Sequence, residues 1–198
     1  DEAHYLRNQG TLSYELGDGE QLLVTGASGV GKSALFRAIA GLWTDGHGTI
    51  KRPELEQVVF LPQVPYMLLG TLRDQLLYST LGRAVPDNEL RDVLENVQLG
   101  ELLERVGGFD AELDWVNLLS LGEQQRIAFA RLLLAKPEIA FLDEATTALD
   151  VDNERCMYDL LRATGCRYVS IGHRKSLFAY HNVHLELLDS GAWQIEQL

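Results

Sequence analysis

The run "QLLVTGASGVGKSALFRAIAGLW", from Gln21 to Trp43, carries three local signals in succession. Gln21 to Thr25 is an apolar stretch of strand length that stops at Gly26. From Lys32 to Trp43 the spacing predicts a helix, because Leu35, Ala38, Ile39 and Leu42 recur at i, i+3, i+4 and i+7. Between them, "GASGVGKS" matches the phosphate-binding pattern G-x-x-x-x-G-K-[ST] in the strand-to-helix context its mechanism requires. Gly26, Ala27, Ser28, Gly29, Val30 and Gly31 can bend so that successive backbone N–H groups point at phosphate oxygens, and the helix N-terminus adds partial positive charge. Lys32 supplies a mobile cation for the outer phosphates, and Ser33 supplies a hydroxyl for Mg²⁺. A glycine-rich turn with a chance Lys-Ser would have no reason to fall between a strand and a helix. Nucleotide binding is the expectation.

Working outward, "VVFL" (58–61), "IAFL" (139–142) and "YVSI" (168–171) are short, continuous apolar runs, as expected of parallel strands buried on both faces. Between Pro65 and Leu118 the pattern turns to amphipathic helices. In "DNELRDVLENVQL", Leu90, Val93, Leu94 and Val97 share a face, so the segment reads as a helical insertion. The end, "HLELLDSGAWQIEQL", has a turn signal at Asp189–Gly191 between alternating runs and predicts a hairpin. The class is α/β: a parallel core with an inserted helical arm and some antiparallel trim.

The second chemical signal is "IAFLDEA", a buried strand that ends in Asp143-Glu144. Charges at such a position are costly unless paired or used. Beside a phosphate loop, Asp143 is suited to hold Mg²⁺ and Glu144 to orient and deprotonate an attacking water. Gln63 follows the strand "VVFLP" and His173 follows "YVSIG", so both emerge at the carboxyl ends of parallel strands, where phosphates lie in such sheets. Gln63 can touch Mg²⁺ or the water, and His173 can donate to the terminal phosphate. The opening "DEAH" spells another acidic box, but it precedes the phosphate loop with no strand before it.

Bulk properties narrow the class further. Lys plus Arg number 17 against 29 Asp plus Glu, a net charge of −12, which argues against nucleic acid as the main partner. Apolar runs such as "RIAFARLLLA" are interrupted by Arg and fall short of the roughly 20 residues that cross a bilayer. Cys156 and Cys166 have neither metal-ligand spacing nor a disulfide-scaffold count and read as structural. His181 and His184 lack accompanying ligands and read as belonging to a solvated loop or strand edge.

In "NLLSLGEQQRIAFARLLL" (117–134), Ser120 can cap a helix and Glu123, three residues on, can close a capping box. By itself this is an ordinary helix start. The order of the phosphate loop, Gln63, "LSLGEQQ", "FLDEATTALD" and "SIGHR" nevertheless resembles the nucleotide-binding domain of the ATP-binding-cassette (ABC) superfamily across essentially the whole chain. "FLPQVPYMLLGTLRDQLLY", "DWVNLLSLGEQQRIAFAR" and "SIGHRKSL" are similar to the subfamily of peroxisomal fatty-acyl transporters and their bacterial half-transporter relatives.

The resemblance implies an ABC-type phosphate-loop ATPase core with a parallel sheet and a small antiparallel β part over about 1–62 and 119–198, and a helical subdomain over about 63–118. It implies the Walker A loop at Gly26 to Ser33, the Walker B pair at Asp143 and Glu144, the Q-loop at Gln63, the D-loop at Asp150 and the switch histidine at His173. Glu144, His173 and Gln63 would be catalytic; Ser33, Gln63 and Asp143 would serve Mg²⁺. Ser120, Leu121, Gly122 and Glu123 match the signature, which in the superfamily reaches ATP bound by a second copy. The implied cofactors are ATP and Mg²⁺. The implied partners are a second copy of this domain and a transmembrane domain, N-terminal in the same polypeptide. The implied location is the cytoplasmic face of a membrane, the inner membrane in a bacterium.

Two departures stand out. Leu121 replaces the first signature glycine. The aromatic residue that cassettes stack on adenine has only Tyr5 as a loosely placed candidate, since Tyr14 in "TLSYEL" reads as part of a strand. A soluble ABC-type ATPase acting on a macromolecular complex is the competing reading, though such proteins usually carry paired cassettes or long coiled-coil insertions.

Overall fold

The computed structural model describes residues 12–43, 45–80, 82–189 and 191–198. "DEAH" and Tyr5 lie outside the described residues. The strands are β1 (Gln21–Gly26), β2 (Val58–Leu61), β3 (Ile139–Asp143), β4 (Arg167–Ile171), β5 (Val183–Leu187) and β6 (Trp193–Gln197). They form one six-stranded sheet in the order β2-β3-β4-β1-β5-β6. The first five are mutually parallel and β6 returns antiparallel along β5, so the predicted terminal hairpin is present.

The helices are α1 (Lys32–Ile39), α2 (Leu72–Leu77), α3 (Asp87–Asn96), α4 (Leu102–Val106), α5 (Trp115–Leu118), α6 (Leu121–Ala135) and α7 (Val151–Ala163). Period-two alternation sorts the strand residues between two layers. Leu22, Val24, Ile139, Phe141, Val169 and Ile171 pack with Phe36 of α1 on one face. Leu23, Ala140, Leu142 and Tyr168 pack on the other with Ile127 of α6 and with Met157, Tyr158 and Leu161 of α7. Burial on both sides is why these strands read as unbroken apolar runs.

The helical arm is not a separate core. Leu72, Leu76, Leu90, Val93, Leu94 and Trp115 belong to the same buried cluster as Ile127 and Phe129 of α6. Helix α6 therefore packs on the arm and on the sheet face together. Trp115 is locked by its indole N–H, which donates to the Gly70 carbonyl at 2.8 Å.

Three sequence expectations change. α1 ends at Ile39, not Trp43: Gly41 takes φ +79°, and the Gly41 and Leu42 N–H groups return to the Ala38 and Arg37 carbonyls in a Schellman-type stop. Leu42 is consequently 78% exposed, and Phe36 is the buried anchor of the helix. Tyr14 lies in no strand; its hydroxyl donates to Glu20 at 2.6 Å. His181 and His184 are both buried rather than solvated.

Candidate nucleotide site

Parallel register brings four loops to one end of the sheet. Val24 of β1 and Asp143 of β3 both pair with Ile171 of β4, and Leu61 of β2 pairs with Leu142 of β3. The phosphate loop, Gln63, Asp143-Glu144 and His173 thus leave adjacent strands at their carboxyl ends, where open α/β sheets bind ligands.

Gly26 opens the loop at φ +143°, and a Cβ there would stand 2.4 Å from the Leu187 carbonyl oxygen, so only glycine allows β1 to turn this close to β5. The Lys32 ammonium donates to the Gly26 and Ala27 carbonyls, both at 2.8 Å, and so lies curled inside its own loop. Burial lowers its pKa, while the Glu144 and Asp143 carboxylates oppose that shift. The cation and the two acids are therefore electrostatic neighbours.

Glu144 is the centre of the carboxylate cluster. Gln63 Nε2 donates to Glu144 Oε2 at 2.9 Å, and His173 Nε2 stands 3.4 Å from Glu144 Oε1. Three residues separated by up to 110 positions in sequence thus meet on one carboxylate. Glu144 holds φ +51°, an uncommon backbone for a side-chain-bearing residue. Its N–H bonds the Ile171 carbonyl at 3.0 Å, and its carbonyl accepts from the Thr147 N–H and hydroxyl, which pin that turn.

Ser33, Asp143 and Gln63 offer a hydroxyl, a carboxylate and an amide oxygen; the Gln63 N–H is directed to Glu144, which leaves its oxygen for a cation. Among the described residues no group of three or more His, Cys, Asp or Glu gathers as a metal cage. A sparse oxygen set of this kind suits Mg²⁺, which keeps water and takes substrate phosphates as ligands.

Ser120 to Glu123 begin α6. Ser120 caps the helix, its hydroxyl accepting from the Glu123 N–H at 3.3 Å, while Glu123 accepts from the Ser120 N–H at 2.9 Å and from Arg105 at 2.7 Å. Leu121 is the first residue of a regular helix, so its substitution for glycine leaves the backbone helical. Gly122 packs tightly, with the Ala148 carbonyl 3.0 Å from where a Cβ would lie. No hydrogen bond or ion pair among the described residues joins this turn to the phosphate loop. Asp150 caps α7, accepting from the Asn153 N–H at 2.8 Å.

Sequence reasoning missed Gln125. Fully buried on α6, it donates to the Gln63 carbonyl at 2.8 Å and accepts from the Ala148 N–H at 3.0 Å. It ties the Gln63 loop to the loop that follows Glu144. Its sequence signal is an uncharged polar residue two positions before Ile127, in a helix whose residues from Gln124 to Leu134 are mostly buried.

Comparison with known proteins shows the family and the fold. The family model described as ABC transporter matches residues 10–147, more than half of the chain. An uncharacterized ABC transporter ATP-binding protein of Synechocystis is 50% identical over 187 residues, covering 94% of this chain and 28% of the relative. Mouse ATP-binding cassette sub-family D member 3 is 42% identical over 192 residues, covering 94% of this chain and 29% of the relative. The chain thus spans less than a third of the length of these relatives. Among solved structures, a bacterial Atm1-family ABC exporter with ATP bound aligns with a TM-score of 0.79 at 27% identity, over 90% of this chain and 34% of that one. With a family match of this extent and relatives this similar, the chain belongs to the ABC transporter family and has the fold of its nucleotide-binding domain.

Proposed function

We propose that this domain binds and hydrolyses ATP and drives transport across a membrane, as part of a longer protein. The observation that carries the reading is the Glu144 carboxylate, held between Gln63 at 2.9 Å and His173 at 3.4 Å beside a buried phosphate-loop lysine. Backbone N–H groups of residues 26–33 cradle the phosphates, and Lys32 exchanges the Gly26 and Ala27 carbonyls for the outer phosphate oxygens. Glu144 takes a proton from the attacking water, whose oxygen forms the new bond to the γ-phosphorus as the bond to ADP breaks. Gln63 orients the carboxylate and the water, and His173 donates to the terminal phosphate. Ser33, Asp143 and Gln63 would hold Mg²⁺, which when bound neutralises charge on the β- and γ-phosphates.

In this reading the signature turn, Ser120 to Glu123, completes the site of a second copy, because a helix N-terminus with free N–H groups binds anions. Two copies then enclose two ATP molecules, with Asp150 near their interface. The helical segment 63–118 passes the motion of the Gln63 loop to a membrane domain, which puts the cassette at the cytoplasmic face. No helix among the described residues is long and apolar enough to cross a membrane itself.

Glu144→Gln tests the proposal. The amide keeps the shape but cannot accept the proton, so turnover falls by about 10²-fold or more while ATP binding persists. Phosphate release and equilibrium ATP binding are the two measurements. Turnover at the wild-type rate rejects Glu144 as the base.

A further inference from the structure

Behind the carboxylate cluster lies a second network, centred on Glu154 in the first turn of α7. Its side chain is fully buried. A carboxylate so placed is costly unless well paired, and an apolar residue would pack α7 on the sheet without that cost. Glu154 Oε2 accepts from the Thr146 hydroxyl at 2.9 Å and from Arg174 Nη1 at 3.2 Å; Oε1 accepts from the Ser176 hydroxyl at 2.5 Å. The three donors come from two segments: Thr146 from the loop that follows Glu144, and Arg174 and Ser176 from the start of the 3-10 helix Lys175–Tyr180 that follows His173.

Arg174 makes the join direct. Its guanidinium also donates to the Leu149 carbonyl at 2.8 Å and the Thr147 carbonyl at 2.7 Å. Thr147 is the residue whose N–H and hydroxyl close the strained turn at Glu144. Leu149 adjoins Asp150. One planar fork, fixed from below by Glu154, thus clamps the residue next to His173 onto the loop that runs from Glu144 to Asp150.

We propose that Arg174, anchored by Glu154, is a positioning residue for hydrolysis: it sets the 3.4 Å approach of His173 to Glu144 and joins that approach to the Thr147–Asp150 loop. The inference rests on the ATPase reading above. Arg174 touches neither nucleotide nor water and acts through two neighbours that do. A rigid fork is needed, because a lysine can neutralise Glu154 but cannot reach both carbonyls and the carboxylate in fixed geometry.

The test uses the full-length protein with Arg174→Lys, and with the pair Arg174→Met/Glu154→Gln, which removes both charges so that no unpaired ion is left buried. Expected in both is a kcat lower by roughly 10- to 100-fold, the scale of a small misplacement of reacting groups, with KM for ATP and the ATP-induced rise in Tm little changed. On a His173→Ala background, Arg174→Lys should cost less than about twofold more, because its route of action is already gone. Wild-type kcat in either folded variant overturns the proposal. So does a loss that multiplies fully with His173→Ala, or one that falls on ATP binding instead. If Arg174→Lys fails to fold, the neutral pair decides. Glu144→Gln run alongside separates the two levels: wild-type turnover there rejects the ATPase reading, whereas an inactive Glu144→Gln with fully active Arg174 variants rejects this inference alone.

Discussion

Glu144 illustrates how one residue reconciles a backbone cost with a chemical position. A non-glycine residue in the left-handed region costs about 1–2 kcal/mol, and here the Ile171 carbonyl and the Thr147 donors hold it. The turn delivers the carboxylate to Gln63 and His173. His181 shows the opposite case, a titratable group with no evident chemistry. Its Nδ1 faces the Leu177 carbonyl at 2.7 Å, its Nε2 is buried without a partner, and the Tyr158 and Tyr168 rings meet its edge. Burial pushes its pKa from 6.5 down to about 4. The unfolded histidine binds a proton below about 6.5 that the folded one refuses until about 4, so acidification through that window favours unfolding by roughly 3 kcal/mol. Wild-type urea midpoints should fall more steeply between pH 6.5 and 4 than those of His181→Phe. Parallel curves would rule out a buried neutral imidazole.

At the scale of elements, α6 is the member on which most of the molecule depends, because its length packs on the arm and the sheet while its start presents Ser120. The capping box stabilises the helix whatever else Ser120 does. Ser120→Ala should cost about 1 kcal/mol, seen as a lower urea midpoint at neutral pH. Burial alone would raise the Glu123 pKa, but the Ser120 N–H, the Arg105 guanidinium and the Ser120 hydroxyl outweigh it and hold it below 4.5. This contribution is therefore complete above pH 4.5 and is lost as pH falls through the lowered folded value. Stability curves of wild type and Glu123→Gln should differ at pH 7 and converge in strong acid; a constant gap would exclude the ionised cap. Helix α7 carries a signal that periodicity could have exposed. Glu154, Met157, Tyr158 and Leu161 stand at i, i+3, i+4 and i+7, so a charge occupies the buried stripe. A carboxylate at such a position needs buried donors, but which residues supply them is a long-range matter.

For the whole molecule, ligand binding and stability are linked, since a nucleotide that binds only the folded chain shifts its unfolding by mass action. Mg²⁺-ATP at about 100 times its Kd should add roughly 2.7 kcal/mol and raise Tm by several degrees. Lys32→Ala should abolish that rise, since Lys32 is the cation of the phosphate loop; an undiminished shift in scanning fluorimetry would remove Lys32 from the binding site. The strand, phosphate loop and start of α1 were legible because phosphate binding demands a contiguous run of residues with fixed local geometry. The capping box and the apolar strands were legible for the same reason: hydrogen bonds three residues apart and burial on two faces leave their mark within a short window. The meeting of Gln63, Glu144 and His173, the strand order β2-β3-β4-β1-β5-β6, and the clamp from Glu154 through Arg174 to Thr147 were decided only in three dimensions. They depend on strand pairings and buried hydrogen bonds between residues distant along the chain, and one sequence's local periodicity has no term for the partner on the other side.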